Sequence, residues 1–372
     1  MESGEEPKAE QPQPEQDQQT LEEFERRPST MPDIGIDLHN FASAEHANAV
    51  GQEVLSALHA LGKVLNLERL AQVIVAYNYD EILAGLDRGT QVSGPLEATD
   101  DGIAVGIAMT PKVLRDGEPR AVMVLNAAYM DVLTERQSPK TESMRERILN
   151  TLAHECGHVH DQHVQASTLP GVILKVQLPF RDGVLCSMAF GCWEEYIACF
   201  LSAFMGKDWT LKDFEETFCK SVARARERAD ASIRQYRMHK DVGRLTNEVG
   251  EEYKRVMMYA SYLLGHIDGL NRAVEEAAPK AVEYLETHSY FKPFFRRLHS
   301  ELRALHQSYG AWTGIEVFEP LKRLADELLK VGGVEIQARP DGSAYVSVPF
   351  TPETIPTIDE QRAFLASKGK TA

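Results

Sequence analysis

Two histidines four residues apart, with a glutamate directly after the first, stand in Thr151-Leu-Ala-His154-Glu155-Cys156-Gly157-His158. This is the H-E-x-x-H pattern. On an α-helix, His154 and His158 project from one face, one turn apart, and can grip a single Zn²⁺ between them. A metal held there lowers the pKa of a water molecule and polarises a carbonyl, while Glu155 beside it takes the proton. That is the chemistry of amide-bond hydrolysis. The pattern also arises by accident, so the stretch must be helical, a third ligand must exist, and a strand should lie nearby.

The flanking residues meet the first requirement. Ser138-Pro139 is a hydroxyl cap followed by proline at the first helical position, and Ile148, Leu149, Leu152, Cys156 and Val159 continue an apolar stripe through the motif. The helix is expected to stop before Pro170. A second helix is predicted over about 184–205, closed by Gly206 as a C-terminal cap. Upstream, the pattern predicts a helix over 44–65, a strand over 70–77 and a helix over 79–86. Two further strands, 103–109 and 121–125, are expected to be joined by the turn-forming Arg115-Asp-Gly117-Glu-Pro119.

Downstream, Thr210 is expected to cap a long helix with the seam Leu211, Phe214, Phe218, Val222, Ala225, Ala229 and Ile233. A partner seam follows in Leu245, Val249, Tyr253, Val256, Ala260, Leu263 and Ile267, which predicts an antiparallel helical hairpin. Further helices are predicted near 279–285, 294–305 and 318–329. A β-hairpin is predicted where 334–338 and 344–348 flank Pro340-Asp341-Gly342. The fold class is therefore α+β and predominantly helical. A small sheet packs on the H-E-x-x-H helix and on a second ligand-bearing helix, followed by the helical hairpin region and a C-terminal β-hairpin. The expected division is a disordered acidic tail (1–30), a metallopeptidase-like core (31–206), a helical region (207–333), and the β-hairpin with a loosely held tail (334–372).

Catalytic zinc takes three protein ligands and leaves one position open. The extended pattern H-E-x-x-H-x-x-G-x-x-H is excluded, because Asp161 and Val164 occupy its glycine and third-histidine positions. A glutamate on the next helix is the other common solution, and Gly191-Cys-Trp-Glu194-Glu195-Tyr-Ile-Ala198-Cys199-Phe200 offers two. One position rotates a side chain by about 100° around the helix axis, so Glu194 and Glu195 are rivals.

The latter segment resembles the E-x-x-A pattern of the gluzincins, the zinc peptidases whose third ligand is a glutamate. That resemblance implies Glu195 as ligand, with Ala198 letting the two helices approach closely. Residues 100–205, with Ala121-Val-Met-Val-Leu-Asn126 ahead of Thr-Leu-Ala-His-Glu-Cys-Gly-His, look most like the ImmA/IrrE-like family of soluble bacterial metallopeptidases. This implies an active-site strand beside two metal-binding helices, and an endopeptidase often aimed at a regulatory protein. Cys199 departs from the asparagine common there. No helix-turn-helix segment stands out, and the chain beyond residue 207 has no counterpart in that family.

Composition narrows the function classes. The chain has 372 residues with 43% hydrophobic and 26% charged residues, as an ordinary globular protein does. A formal net charge of −16 argues against nucleic acid as the main partner. Five cysteines without C-x-x-C spacing, and no basic-then-apolar leader, lead to the expectation of a soluble cytoplasmic protein. No apolar run is expected to approach the span of a bilayer.

The remaining candidates each have a plainer reading beside the chemical one. His160 and His163 read as surface residues near a helix end, or as extra metal ligands. Asp161 could orient a ligand imidazole, or be a solvated carboxylate. Cys156 reads as a small buried residue. Cys186, Cys192 and Cys199 could hold a structural zinc with His160. Asn126 and Ala127 could pair with an extended substrate, or simply form a turn. Tyr129, Tyr196, His266 and Tyr290 are all candidates for stabilising the oxyanion.

The reading is a zinc metallopeptidase with His154, His158 and Glu195 as ligands and Glu155 as general base. Its expected partner is a protein or peptide substrate, with no membrane, and self-association through the helical region is left open. The competing class is an inactive peptidase-like scaffold or interaction protein with a structural metal.

Overall fold

The computed structural model describes residues 23–90, 94–135, 138–174, 176–287 and 290–368. The fold is α+β and predominantly helical, as expected. Strand β1 (Ile36–His39), helix α1 (Ala44–Leu61) and strand β2 (Leu70–Ala76) form a β-α-β unit with β1 and β2 parallel. β2 pairs in parallel with β5 (Glu118–Asn126). The far edge of β5 takes β3 (Ala108–Met109) and β4 (Lys112–Arg115), both antiparallel.

Side chains alternate across this sheet. Val73, Val75, Met123 and Leu125 face one layer, which holds α1 and the long helix α3 (Pro139–Thr168). Ile74, Ala76, Val122 and Val124 face the other, where α2 (Tyr79–Gly85) seats Tyr79 and Leu83.

The remaining chain is a helical assembly around α4 (Phe180–Ser202). The hairpin of α5 (Asp208–His239) and α6 (Val242–Gly269) packs on it, with α7 (Pro279–Thr287), α8 (Lys292–Gln307) and α9 (Glu319–Val331) behind. The largest apolar cluster runs from Leu185, Trp193 and Tyr196 of α4 through Phe218, Val256 and Leu263 to Leu298 and Leu328. It crosses residue 206 without a break, so α4 shares its core with the helices that follow it. Strands β6 (Glu335–Ala338) and β7 (Ala344–Ser347) make the C-terminal hairpin, and α10 (Ile358–Lys368) ends the described chain.

Several sequence expectations need correction. The strand over 103–109 shrinks to Ala108–Met109, because Asp101 takes the amides of Ile103 and Ala104 and Gly106 donates to the Thr99 carbonyl. The Asp116-Gly117 turn joins β5 to β4 instead. Both turn residues are left-handed (φ 54° and 77°), the geometry of a tight two-residue hairpin. Strands β1 and β4 were not foreseen.

At the helix ends, Thr210 sits inside α5 rather than capping it, its hydroxyl accepting from the Lys207 amide at 3.1 Å. Gly206 is extended rather than left-handed (φ −76°, ψ 157°). It is small because a Cβ there would meet the His266 ring at 2.1 Å.

Residues 1–22 of the expected disordered tail lie outside the described residues. Residues near 30 are held: the Thr30 hydroxyl lies 2.9 and 2.8 Å from the Gly62 and Leu65 carbonyls, and Met31 is buried. The C-terminal segment is also fastened. Arg237 donates to the Val348 and Pro349 carbonyls, and Arg234 pairs with Glu360 at 2.9 Å.

The expectation that no run approaches a bilayer span also fails on length and composition alone. Phe180–Met205 qualifies, its most apolar 18-residue window having a mean hydropathy of 1.4, yet 56% of that window is buried inside the protein. Enclosed by α3, α6 and α9, it serves as the core helix.

Glycine sets how closely α6 meets α4. A Cβ at Gly265 would lie 2.2 Å from the Tyr196 carbonyl oxygen, and one at Gly269 would lie 2.5 Å from that of Phe200. These are backbone atoms that have no rotamer to escape into. Gly265→Ala is therefore expected to destabilise the protein by about 1–3 kcal/mol or more, as overpacking does. The measurement is the denaturant midpoint, and an unchanged midpoint would contradict the close contact.

Candidate metal centre

Helix α3 begins where its signals place it. Ser138 accepts from the Thr141 amide, Thr141 returns a bond to Ser138, and Pro139 fills the first turn. Thirty residues of continuous helix then carry His154 and His158 on one face. α4 crosses α3 at the motif, where a Cβ on Gly157 would lie 2.9 Å from Ala198 Cα and 3.1 Å from its carbonyl oxygen. Only a glycine facing an alanine allows this approach, and it carries Glu195 to the two imidazoles.

His154 Nε2 and His158 Nε2 are 3.1 Å apart, and Glu195 Oε2 is 3.2 and 3.5 Å from them. Donors about 2.0–2.1 Å from a tetrahedral ion are separated by roughly 3.3 Å, so this triangle has the size of one face of a zinc site. Glu195 Oε2 is buried without a hydrogen bond, which suits an atom whose partner is a cation. Among the described residues, these three form the sole group of His, Cys, Asp or Glu donors close enough to hold one metal.

Electrostatics agree with the geometry. Burial opposes a charge on His158, yet Glu195, Glu155 and Glu194 bring its pKa up to about 9. Burial likewise opposes ionisation of Glu195, and His158 and His154 overcome it, holding its carboxyl well below the usual range. The cluster attracts positive charge, which a divalent ion supplies.

Glu194 does not join this cluster. It is paired with Lys112, whose ammonium also lies 3.1 Å from Gln165 Oε1. Glu155 is 6% exposed, and its Oε2 accepts from the Thr110 hydroxyl at 2.6 Å. Gln162 donates to the Thr110 carbonyl at 3.1 Å, tying the edge of the sheet to α3. Thr110 was missed in the sequence, where nothing marks it except its place after an apolar run.

The other candidates divide cleanly. Asp161 orients no imidazole: it accepts from Trp193 Nε1 at 3.1 Å and from Gln165. His160 Nδ1 accepts from the Asn66 amide, and His163 lies 3.7 Å from Glu68. Cys156, Cys186 and Cys192 are buried free thiols, so no cysteine-built zinc site forms with His160. Cys199 Sγ lies 3.5 Å from His154 Nδ1, and burial together with Glu195 holds its thiol protonated. Asn126 caps the short turn after β5 and its amide donates to the Ile107 carbonyl, while Ala127 is fully buried, so the two residues form the plain turn.

Of the four oxyanion candidates, Tyr196 bonds to Asp268, Tyr290 to the Val222 carbonyl, and Tyr129 is exposed away from the site. His266 does line the cleft, and burial pushes its pKa down to about 4. The residue sequence reasoning missed is Tyr262. Its ring stacks on His154 (centroids 5.4 Å apart, planes at 14°), beside Glu195. Burial and Glu195 hold that phenol well above its ordinary pKa, so it remains a donor. Arg255, Tyr259, Tyr262 and His266 recur at helical spacing along α6, each one position before a residue of its apolar seam and so about 100° round the helix from it, and that stripe was the available signal.

Two cavities, of about 880 and 510 Å³, meet at His154, Glu155 and Tyr262. Comparison with protein families, curated proteins and solved structures finds no match to this chain.

Asp161 yields a pH prediction. Burial pushes its carboxyl up to about 7 against the pull of Lys112, whereas the unfolded chain ionises near 3.8. The folded state therefore holds the extra proton, and this stabilising contribution is full below pH 3.8 and lost as pH rises through 7. Asp161→Asn should flatten stability against pH between about 4 and 7, measured as the difference in urea midpoint from wild type. A difference independent of pH would contradict the assignment.

Proposed function

We propose that the protein is a zinc-dependent metallopeptidase of the gluzincin type. The observation that carries this is the meeting of His154 Nε2, His158 Nε2 and Glu195 Oε2 at 3.1–3.5 Å in a cleft that also holds Glu155. Those three atoms would hold the ion. When bound, zinc supplies a Lewis acid that polarises a carbonyl and makes a water acidic enough to lose a proton near neutral pH.

The chain's own residues account for the rest. Thr110 fixes one oxygen of Glu155, leaving Oε1 to take a proton from water and pass it to the leaving amine. Tyr262, kept protonated beside Glu195, donates to the carbonyl oxygen as negative charge develops on it. Strand β3 bonds to β5 along one edge, and its Ala108 lines both cavities, so its other edge is placed to pair with an extended peptide backbone. The substrate class is protein or peptide. The likeness to the ImmA/IrrE-like family rests on the motif segment and favours a regulatory protein as target.

Glu155→Gln should keep one zinc per chain and lower peptide hydrolysis by about 10²–10⁴-fold. A scaffold with a structural metal would be indifferent to this change. Glu194→Gln should also retain zinc, whereas Glu195→Gln and His154→Ala should lose it. Metal analysis after dialysis reads all four, and zinc loss in Glu194→Gln with retention in Glu195→Gln would overturn the ligand set.

A further inference from the structure

Residues 97–107 cross the cleft from the sheet to the helical hairpin. At the sheet end the segment runs into β3. Its neck is drawn together by the Asp100–Val105 bridge and by the Gly106 amide, which donates to the Thr99 carbonyl at 2.7 Å. Its tip is fastened on the far side. Asp101, its side chain 4% exposed, accepts from the Tyr259 hydroxyl at 2.8 Å and lies 3.6 Å from Arg255 Nε, both on α6. The Asp101 carbonyl accepts from Arg224 of α5 at 3.1 Å. Gly102 is left-handed at the tip (φ 73°), and Ile103 and Ala104 pack against the apolar cluster of the helices.

The segment is therefore anchored on both banks. Its residues line the larger cavity opposite Asn247, Met258 and Tyr262, and Thr99 reaches the smaller cavity as well. Thr99, Ala108, His154, Glu155 and Tyr262 are among the residues that line both cavities, which therefore meet beside the histidine–glutamate cluster. Each has the volume of a pocket for a small group of side chains. An extended chain advances about 3.3 Å per residue and can place successive side chains in the two cavities. A helix is about 10–12 Å across with its side chains, much bulkier than a single extended strand.

Building on the peptidase reading, we infer that 97–107 is a strap latched by Asp101 to Tyr259 and Arg255. The site therefore takes its substrate as an unfolded, extended segment threaded beneath it. Folded polypeptide is excluded until the latch releases. Tyr259→Phe removes the latching hydroxyl and leaves the local turn made by Asp101 with Ile103 and Ala104 intact. Arg255→Gln weakens the same latch from a second position.

The test uses the full chain. Amide hydrogen exchange over 97–107 is measured with and without zinc in wild type and both variants. Zinc-loaded protein is also given reduced, carboxymethylated lysozyme and native lysozyme as probes. Exchange across 97–107 as a whole should quicken by about tenfold in Tyr259→Phe as the tip comes away from α6, in keeping with loss of a hydrogen bond to a charged acceptor. Wild type should cut the unfolded probe and spare the native one. Unchanged exchange in both variants would overturn the strap, and equal cleavage of both probes by wild type would overturn the threaded substrate. If exchange responds, zinc binds and neither probe is cut, the peptidase reading and the substrate class fail together while the strap stands.

Discussion

The site depends on how near two helices can come. Where Gly157 meets Ala198, the backbones of α3 and α4 approach so closely that a single added methyl would lie 2.9 Å from a main-chain carbon. That spacing brings a carboxylate from one helix within 3.5 Å of two imidazoles on the other. Helices whose contact residues are larger pack about 8–10 Å apart between axes, which would carry Glu195 away from its partners. The same device recurs one layer back. Gly265 and Gly269 let α6 rest on the carbonyls of α4, and this seats Tyr262 against His154. The two histidines, the glutamate and the tyrosine beside them are thus held by backbone contact, with no loop between them and the core.

Close packing of carboxylates creates a second requirement, since Glu155, Glu194, Glu195 and Asp161 lie within one region. Each is kept in a separate role by its own partner. Lys112 engages Glu194, the Thr110 hydroxyl holds Glu155, and Trp193 and Gln165 hold Asp161. Glu195 alone turns an oxygen with no hydrogen bond toward the histidines. The choice between Glu194 and Glu195 is therefore made by Lys112 as much as by helix rotation.

Much of this was legible in the residues, because it follows from helical periodicity. His154, His158 and Glu195 meet as read, and the α5–α6 hairpin follows its two apolar seams. The misses share a cause, which is that long-range contacts overrode local preference. Residues 103–107 look like a strand but yield to the turn around Asp101. Lys112, Thr110 and Tyr262 reach the site from remote segments, and no spacing rule links residue 262 to residue 154. The length and apolarity of Phe180–Met205 resemble a membrane span, because a helix buried on most sides has the same composition as one in lipid.

The central claim is that one ion sits between two imidazole nitrogens and one carboxylate oxygen. X-ray absorption at the zinc edge of the zinc-loaded protein tests it most directly. The account predicts a first shell of nitrogen and oxygen only at about 2.0–2.1 Å, with scattering from two imidazoles. A sulfur contribution near about 2.3 Å, which would bring in Cys199, or a shell without imidazole, would contradict it.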